Sequence, residues 1–126
     1  MNSDMYKDYI VELYSNPLNF GILKNANYVK SGHNISCGDK ITLQLFVDNG
    51  IVKDAKFEGS GCAIHMASSS LLTNKIIGMQ VNKVKKITSQ DTIDELHIDI
   101  SPTRIKCAIL VWDTLHEMLN NEEEKC

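Results

Sequence analysis

The chain lacks several features that would assign it to common protein classes. It has 13 basic and 16 acidic residues and a net charge of −3 at pH 7, so a nucleic-acid-binding surface is not expected. Its apolar runs fall far short of a membrane span, and its first residues lack the basic and apolar regions of a secretory signal. No internal repeat or linker divides it. These absences predict one cytoplasmic domain over residues 1–126, without a nucleic-acid or membrane partner.

Local pairs of cysteines are also missing. The chain has four cysteines, and none belongs to a C-x-x-C pair. Cytoplasmic thiols stay reduced, so metal binding or thiol chemistry is a better interpretation than disulfides. Cys37, Cys62 and Cys107 lie in three distant segments. They can form one site only if the fold brings them together.

The clearest strand signal lies in the middle of the chain. Apolar residues alternate with others over 41–48, and a second strand-like run spans 51–58. Between them, Asn49 and Gly50 both tolerate the positive φ of a tight turn, so the pattern predicts a 41–58 antiparallel hairpin. The preceding stretch, 18–36, has no clear period. We predict a long loop there, with room for one short strand.

Helical periodicity appears before and after this hairpin. It predicts a helix over 4–14 with Ser3 or Asp4 as a cap, and a second helix from Cys62 to a Gly78 cap. One or two short helices are expected within 81–96.

The last helix has the strongest pattern. Ser101 is a good N-cap, and Pro102 suits the first helical position. The pattern places Cys107 off the centre of the buried stripe, near the start of the helix. The polar segment 120–126 is expected to be a disordered tail. The predicted buried stripe consists of Ile105, Ala108, Ile109, Trp112, Leu115 and Leu119.

Each of the three cysteines occupies a place that can support a thiolate. Cys37 lies in a polar loop before Gly38. Cys62 sits at a glycine-rich junction before a helix, where free amides and the helix dipole stabilise negative charge. Cys107 has Arg104 and Lys106 nearby.

Asp39 and the histidines are further candidates. Asp39 is either a turn residue or an oxygen ligand beside the thiolates. Three sulfurs and one carboxylate suit tetrahedral zinc, and they also suit a cluster with one labile corner. His33 could approach the site, and His65 lies one turn into the helix after Cys62. His97 and His116 are interpreted as ordinary surface or partly buried residues, and a ligand role is not expected for any of the four histidines. Cys126 is interpreted as an exposed tail thiol.

At these residues the chain resembles the NifU N-terminal, IscU and SufU family of iron–sulfur cluster scaffold proteins. The resemblance covers nearly the whole chain, with the motifs in order and compatibly spaced. The matching segments are Asn16-Pro17-Leu18-Asn19-Phe20-Gly21, Cys37-Gly38-Asp39, Ile51-Val52-Lys53-Asp54-Ala55-Lys56-Phe57, Gly61-Cys62, Met66-Ala67-Ser68-Ser69-Ser70-Leu71 and Arg104-Ile105-Lys106-Cys107.

The resemblance implies a SufE/NifU-like α+β fold, in which a small antiparallel sheet of about three strands packs against several helices. It implies that Cys37, Asp39, Cys62 and Cys107 converge at one exposed end and bind zinc, iron or a [2Fe-2S] cluster. It also implies a cysteine desulfurase as the sulfur donor and apo iron–sulfur proteins as acceptors.

The chain also departs from each branch of that family. IscU-type proteins have His before the third cysteine, where this chain has Lys106, as SufU-type proteins do. The Leu-Pro-Pro-Val-Lys chaperone motif aligns with residues 100–104 and keeps only Pro102, which argues against dependence on a dedicated Hsp70-type chaperone. SufU-type chains usually carry an insertion between the second and third cysteines, and this chain has the shorter IscU spacing.

Three functions follow as hypotheses. The leading one is an assembly scaffold that accepts sulfur, with Cys107 as the persulfide acceptor, and builds a transient cluster for transfer. The second is a SufU-like zinc-dependent sulfurtransferase, so whether the chain is an enzyme stays open. The third is a closed structural zinc module for protein binding. The sequence leaves open the native metal, the oligomeric state, the acceptors, and the roles of Lys106, His33 and Cys126.

Overall fold

The computed structural model describes the backbone of residues 3–124 and the side chains of residues 7–120. A short 3₁₀ turn over Pro102–Arg104 leads directly into the last helix. The elements, in chain order, are α1 (Ser3–Ser15), β1 (Tyr28–Asn34), β2 (Asp39–Asp48), β3 (Ile51–Ser60), α2 (Ala63–Ile76), α3 (Val81–Val84), α4 (Ser89–Asp94) and α5 (Ile105–Glu124).

The three strands form one antiparallel sheet in the order β1-β2-β3, which confirms the predicted fold class. The predicted hairpin is present, with φ angles of 53° at Asn49 and 73° at Gly50 in its turn. The register shifts between Phe46 and Val47 of β2, where Lys53 is the extra, unpaired residue on β3. The predicted long loop contains the whole of β1.

The register of the sheet brings the start of β2 close to both neighbouring chain segments. Asn34 pairs with Asp39 across the β1–β2 turn, and Lys40 pairs with Ser60 at the end of β3. The β3 strand runs to Ser60, slightly beyond the predicted break at Gly59. One end of the sheet therefore carries the chain from β3 into α2.

One face of the sheet packs against α2 and α5. A second cluster joins Ile10 and Leu13 of α1 to Ala67 and Ala108. The main core is made of buried side chains, among them Ile41, Leu43, Leu45, Val52, Phe57, Leu72, Ile76, Val111, Leu115 and Leu119.

Helix α2 is buried on nearly all sides, which its sequence signals by small polar residues rather than by an apolar stripe. The Ser68 hydroxyl donates a hydrogen bond to the Ala108 carbonyl oxygen, and the Leu18 N–H donates to Ser70 Oγ at 3.1 Å. These bonds fix α2 against the start of α5 and against the segment after α1. The small side chains let the three segments approach closely.

Helix α5 is rotated relative to the prediction. Ile105, expected in the buried stripe, is 37% exposed, whereas Cys107, expected off its centre, is 0% exposed. The exposed 3₁₀ turn over Pro102–Arg104 leads into this helix, and the buried stripe of the helix begins at Cys107 and Ala108 and continues through Val111 and Leu115.

Helix α5 continues to Glu124, so the structure places helix over most of the segment predicted as a tail. Cys126, the predicted caps Ser3 and Asp4, and the side chain of Tyr6 lie outside the part of the chain whose side chains are described. Between residues 3 and 124, no helix has the length and apolarity needed to cross a membrane.

Candidate metal centre

The turn between β1 and β2 presents Cys37. The N–H groups of Cys37 and Gly38 both donate to the Asn34 carbonyl oxygen, at 3.2 and 2.9 Å. Gly38 has a φ of 73°, and a β-carbon there would meet no atom within 4 Å. Glycine is therefore favoured at this position by the backbone conformation rather than by space. The turn leaves Cys37 partly exposed.

Asp39 is the first residue of β2 and is 0% exposed. Its Oδ1 accepts a hydrogen bond from the Cys62 N–H at 3.0 Å, whereas its Oδ2 has no N–H or O–H donor among the described residues. A buried carboxylate oxygen without a donor is costly unless a cation or a proton satisfies it. This oxygen is therefore suited to a metal ion.

Gly61 makes this arrangement possible. It has a φ of 151°, and a β-carbon on it would collide with Asp39 Oδ1 and lie 2.9 Å from Cδ2 of His65. The next residue, Cys62, is the N-cap residue of α2 and is partly exposed. The absence of a side chain at Gly61 allows the start of α2 to approach the start of β2.

Cys107, near the start of α5, completes the group. One ligand atom from each of Cys37, Asp39 and Cys107 lies within 4.8 Å of the other two. The Cys62 side chain is not part of that group of three, but it neighbours the Cys107 thiol. The fold therefore brings the ligand atoms of three predicted site residues together, and it places Cys62 beside them through its N–H bond to Asp39.

In the metal-free protein the Cys107 thiol keeps its proton to a higher pH than an ordinary cysteine does. Burial raises the pKa of the Cys107 thiol far above its ordinary value, and the neighbouring Asp39, Cys37 and Cys62 raise it further. The sequence pattern predicted that nearby cations would stabilise a thiolate at Cys107. For the metal-free protein this prediction is wrong. A metal ion that binds there must displace the thiol proton, so its affinity depends on pH.

The two cations instead lie beside Cys37. Arg104 and Lys106 are exposed, and together with Ser36, Cys37 and Thr103 they line an open groove at the mouth of the centre. Cys37 is therefore a partly exposed thiol that shares an open groove with two cationic side chains, whereas Cys107 is buried.

The histidines take other positions. His33 is exposed on β1, away from the group of three ligand atoms, and His97 is exposed after α4. The two ring nitrogens of His116 lie near backbone carbonyl oxygens, Nδ1 at 3.0 Å from that of Trp112 and Nε2 at 3.2 Å from that of Lys85, and the neutral ring donates to one of them. His65 is 0% exposed and lies directly behind Asp39. No role for His65 was predicted from the sequence. The one sequence signal for its position is that it follows Cys62 by about one helical turn, which places it near the same end of α2.

The donor set fits a thiophilic metal or a cluster. Three thiols and one carboxylate satisfy a tetrahedral zinc ion, and thiolates are also the usual ligands of iron–sulfur clusters. The donorless Asp39 Oδ2 and the suppressed ionisation of Cys107 are features that a bound cation would relieve.

Known proteins are similar to this chain in sequence and in fold. The model of the NifU-like N terminal domain matches residues 5–126. The iron–sulfur cluster assembly scaffold protein IscU of Thermotoga maritima is 44% identical over 132 residues, which cover 91% of this chain and 92% of that protein. The zinc-dependent sulfurtransferase SufU of Bacillus subtilis is 39% identical over 136 residues, which cover 94% and 92%.

A solved structure agrees with these relatives. The crystal structure of FiSufU from Fervidobacterium islandicum, described as a putative iron–sulfur cluster assembly scaffold protein for the SUF system, superposes with a TM-score of 0.74 and 31% identity. The match covers 94% of this chain and 99% of that one. On this sequence and structural evidence, the chain belongs to the NifU-like N-terminal domain family that includes IscU and SufU.

Proposed function

We propose that this chain is a cytoplasmic iron–sulfur cluster assembly scaffold. It accepts sulfur from a cysteine desulfurase, holds iron or a transient [2Fe-2S] cluster as cargo, and passes the cluster to apo-proteins. The observation that carries the proposal is that one ligand atom from each of Cys37, Asp39 and Cys107 lies within 4.8 Å of the other two, at a buried carboxylate whose Oδ2 has no N–H or O–H donor among the described residues. Family membership supports the same function.

The order of sulfur transfer follows from exposure. Cys107, the acceptor predicted from the sequence, is buried, so a partner protein cannot reach it without movement of the surrounding chain. Cys37 is partly exposed beside the Arg104–Lys106 groove. We therefore assign Cys37 as the first acceptor and retain Cys107 as the second.

Each transfer is a thiol–persulfide exchange. The Cys37 thiolate attacks the terminal sulfur of the desulfurase persulfide, the donor S–S bond breaks, and the desulfurase thiolate leaves. A new S–S bond now joins the terminal sulfur to Cys37. Cys107 can take that sulfur by the same exchange, since its Sγ lies within 4.8 Å of the Cys37 Sγ, once its thiol has lost its proton; the Cys107 thiolate then attacks the terminal sulfur and the Cys37 thiolate leaves. No net oxidant or reductant is consumed in either exchange.

Anaerobic reconstitution tests the proposal. The protein is incubated with ferrous iron, cysteine and a cysteine desulfurase, and cluster formation is followed by visible absorption and by iron and sulfide analysis. Serine substitution of Cys37, Cys62 or Cys107 should abolish the cluster, whereas Cys126→Ser, the matched control, should retain it. Cluster formation at the wild-type level in all three site variants would refute the proposal.

A second candidate is a zinc-dependent sulfurtransferase that builds no cluster. Lys106 directly before Cys107 and the similarity to SufU favour it. In that case zinc orders the thiols, and the release of one ligand frees a thiolate for attack. One tightly bound zinc per chain, with no iron retained after the reconstitution above, would select this function over the scaffold.

A further inference from the structure

His65 is a fully buried titratable side chain that the proposed ligand set does not use. It lies in the first turn of α2, and its Nε2 is 2.9 Å from the Lys40 carbonyl oxygen. Because a carbonyl oxygen only accepts hydrogen bonds, Nε2 carries the proton of the neutral ring. Burial lowers the pKa of His65 below its ordinary value of 6.5, and the Lys40 carbonyl and Asp39 oppose that shift.

His65 and Asp39 pack against the same glycine. The position of a β-carbon on Gly61 would clash with Asp39 Oδ1 and would lie 2.9 Å from the His65 ring. Lys40 directly follows Asp39 in β2. The hydrogen bond from His65 to Lys40 and the one from the Cys62 N–H to Asp39 thus join the same two segments, the start of α2 and the start of β2.

We propose that His65 is a positioning residue for the metal centre: by holding the Lys40 carbonyl oxygen it fixes the Asp39 carboxylate, with Oδ1 on Cys62 and Oδ2 available to metal. The proposal rests on the metal-binding function proposed above. Partners behind a ligand typically change metal affinity by about 10- to 100-fold when they are removed. His65 would act in this way through the strand that carries Asp39.

A purely structural role is the competing explanation, and His116 offers a matched control. It is also a partly enclosed histidine on backbone carbonyl oxygens, those of Trp112 and Lys85. It lies about two and a half helical turns from Cys107 along α5. Its removal should lower stability without affecting bound metal.

Co²⁺ binding separates the two explanations, since its absorption reports ligand geometry directly. His65→Ala should lower Co²⁺ affinity about tenfold and change the ligand-field bands. His65→Gln, whose side-chain N–H can reach the Lys40 carbonyl oxygen, should restore most of both. His116→Ala should lower the melting temperature and leave the Co²⁺ spectrum unchanged.

The decisive comparison uses an Asp39→Ala background. If His65 acts through Asp39, then adding His65→Ala to Asp39→Ala should cause no further loss of Co²⁺ affinity. An equal tenfold loss in that background, or a wild-type spectrum and affinity in His65→Ala, would overturn the inference. If His65→Ala does not fold, His65→Asn replaces it, because its amide is too short to reach the Lys40 carbonyl oxygen.

The same titration distinguishes this inference from the function on which it rests. A wild-type protein that binds no Co²⁺ would defeat the proposed metal-binding function together with the role of His65. Wild-type binding that is indifferent to His65→Ala would defeat the role of His65 alone.

Discussion

Replacement of Asp39 by alanine separates the scaffold from the zinc sulfurtransferase. The substitution removes the donorless Oδ2 that suits a metal, and it also removes Oδ1, which accepts the Cys62 N–H at 3.0 Å. Cys37, Cys62 and Cys107 keep their thiols. The variant therefore retains three sulfur ligands and loses the single oxygen ligand.

The expected stability change of the metal-free protein is small because two effects oppose each other. A hydrogen bond to a charged acceptor is worth about 1.5–3 kcal/mol, and its loss leaves the Cys62 N–H without Asp39 as its acceptor. Removal of a buried carboxylate with one donorless oxygen offsets this cost. We expect the free energy of unfolding to change by less than about 2 kcal/mol.

The metal-bound states should respond in opposite directions. Zinc affinity should fall roughly 10- to 100-fold, since water must replace a charged ligand at a cost of about 1.4–2.8 kcal/mol. A cluster should instead persist longer and transfer more slowly, because the labile oxygen corner is the point at which it leaves. Zinc competition with a chromophoric chelator measures the first effect, and the loss of cluster absorption on addition of an apo-acceptor measures the second.

A matched aspartate provides the control. Asp54 also accepts a backbone N–H, that of Ala55 at 2.9 Å, but it lies on β3 and outside the group of converging ligand atoms. Asp54→Ala should leave zinc affinity and cluster lifetime unchanged. If Asp39→Ala also matches the wild type in both measurements, Asp39 is only a turn residue and the proposed ligand set is wrong at that position.

Three further predictions follow from the buried groups around the centre. The pKa of Cys107 is raised, so the folded metal-free protein keeps a proton that the unfolded chain loses. The free energy of unfolding, measured in urea, should therefore fall as the pH rises above 9.0, the ordinary pKa of a cysteine thiol. Cys107→Ser should flatten that fall. The pKa of His65 is lowered, so the unfolded chain binds a proton more readily than the folded protein. The free energy of unfolding should therefore fall as the pH drops below 6.5, and it should fall less steeply in His65→Gln. The same dependence on pH in His65→Gln and the wild type would contradict this account. Gly61→Ala should destabilise by about 3 kcal/mol and weaken zinc binding, because its β-carbon meets Asp39 Oδ1, whereas Gly78→Ala, with φ of 91° and no atom within 4 Å, should cost only about 1 kcal/mol in thermal unfolding.

Local patterns predicted the parts of the fold that depend on local chemistry. The Asn49-Gly50 turn requires positive φ at both residues, and few other pairs accept it as readily. Helix α2 follows from the glycine-rich junction before Cys62 and from Gly78 at its end. In each case the decisive residues lie within the element or at its ends, so the signal is readable without tertiary information.

Strand β1 could not be predicted in the same way. It lies at one edge of the sheet, and none of its seven residues is fully buried, so its sequence needs no alternation of apolar and polar residues. Its Gly32 is explained only by a distant contact, since a β-carbon there would collide with Thr114 Oγ1 on α5. A close approach between a strand and a helix leaves a glycine in the sequence but does not identify its partner.

The candidate site, too, could be predicted only in part from the sequence. The identities of Cys37, Asp39, Cys62 and Cys107 are visible in the sequence, but their burial and charge environment are not. Cys107 lies in the core, whereas Arg104 and Lys106 are exposed and line a groove together with Cys37. Which face of the last helix is buried depends on its packing against α2 and the sheet, and the local pattern did not specify that packing.

The contrast between Cys37 and Cys107 gives the centre a physical order of events. Under the proposed function, the partly exposed Cys37 thiol beside the two cations would attract a persulfide anion, and the buried Cys107 thiol would hold its proton until a metal displaces it. Sulfur arrival and metal coordination therefore place different demands on the two thiols. Asp39 lies beside both thiols. Its Oδ1 accepts the Cys62 N–H, so only its Oδ2 is available to cargo. A single oxygen of this kind binds cargo less tenaciously than a fourth thiolate, which suits a cluster that has to leave.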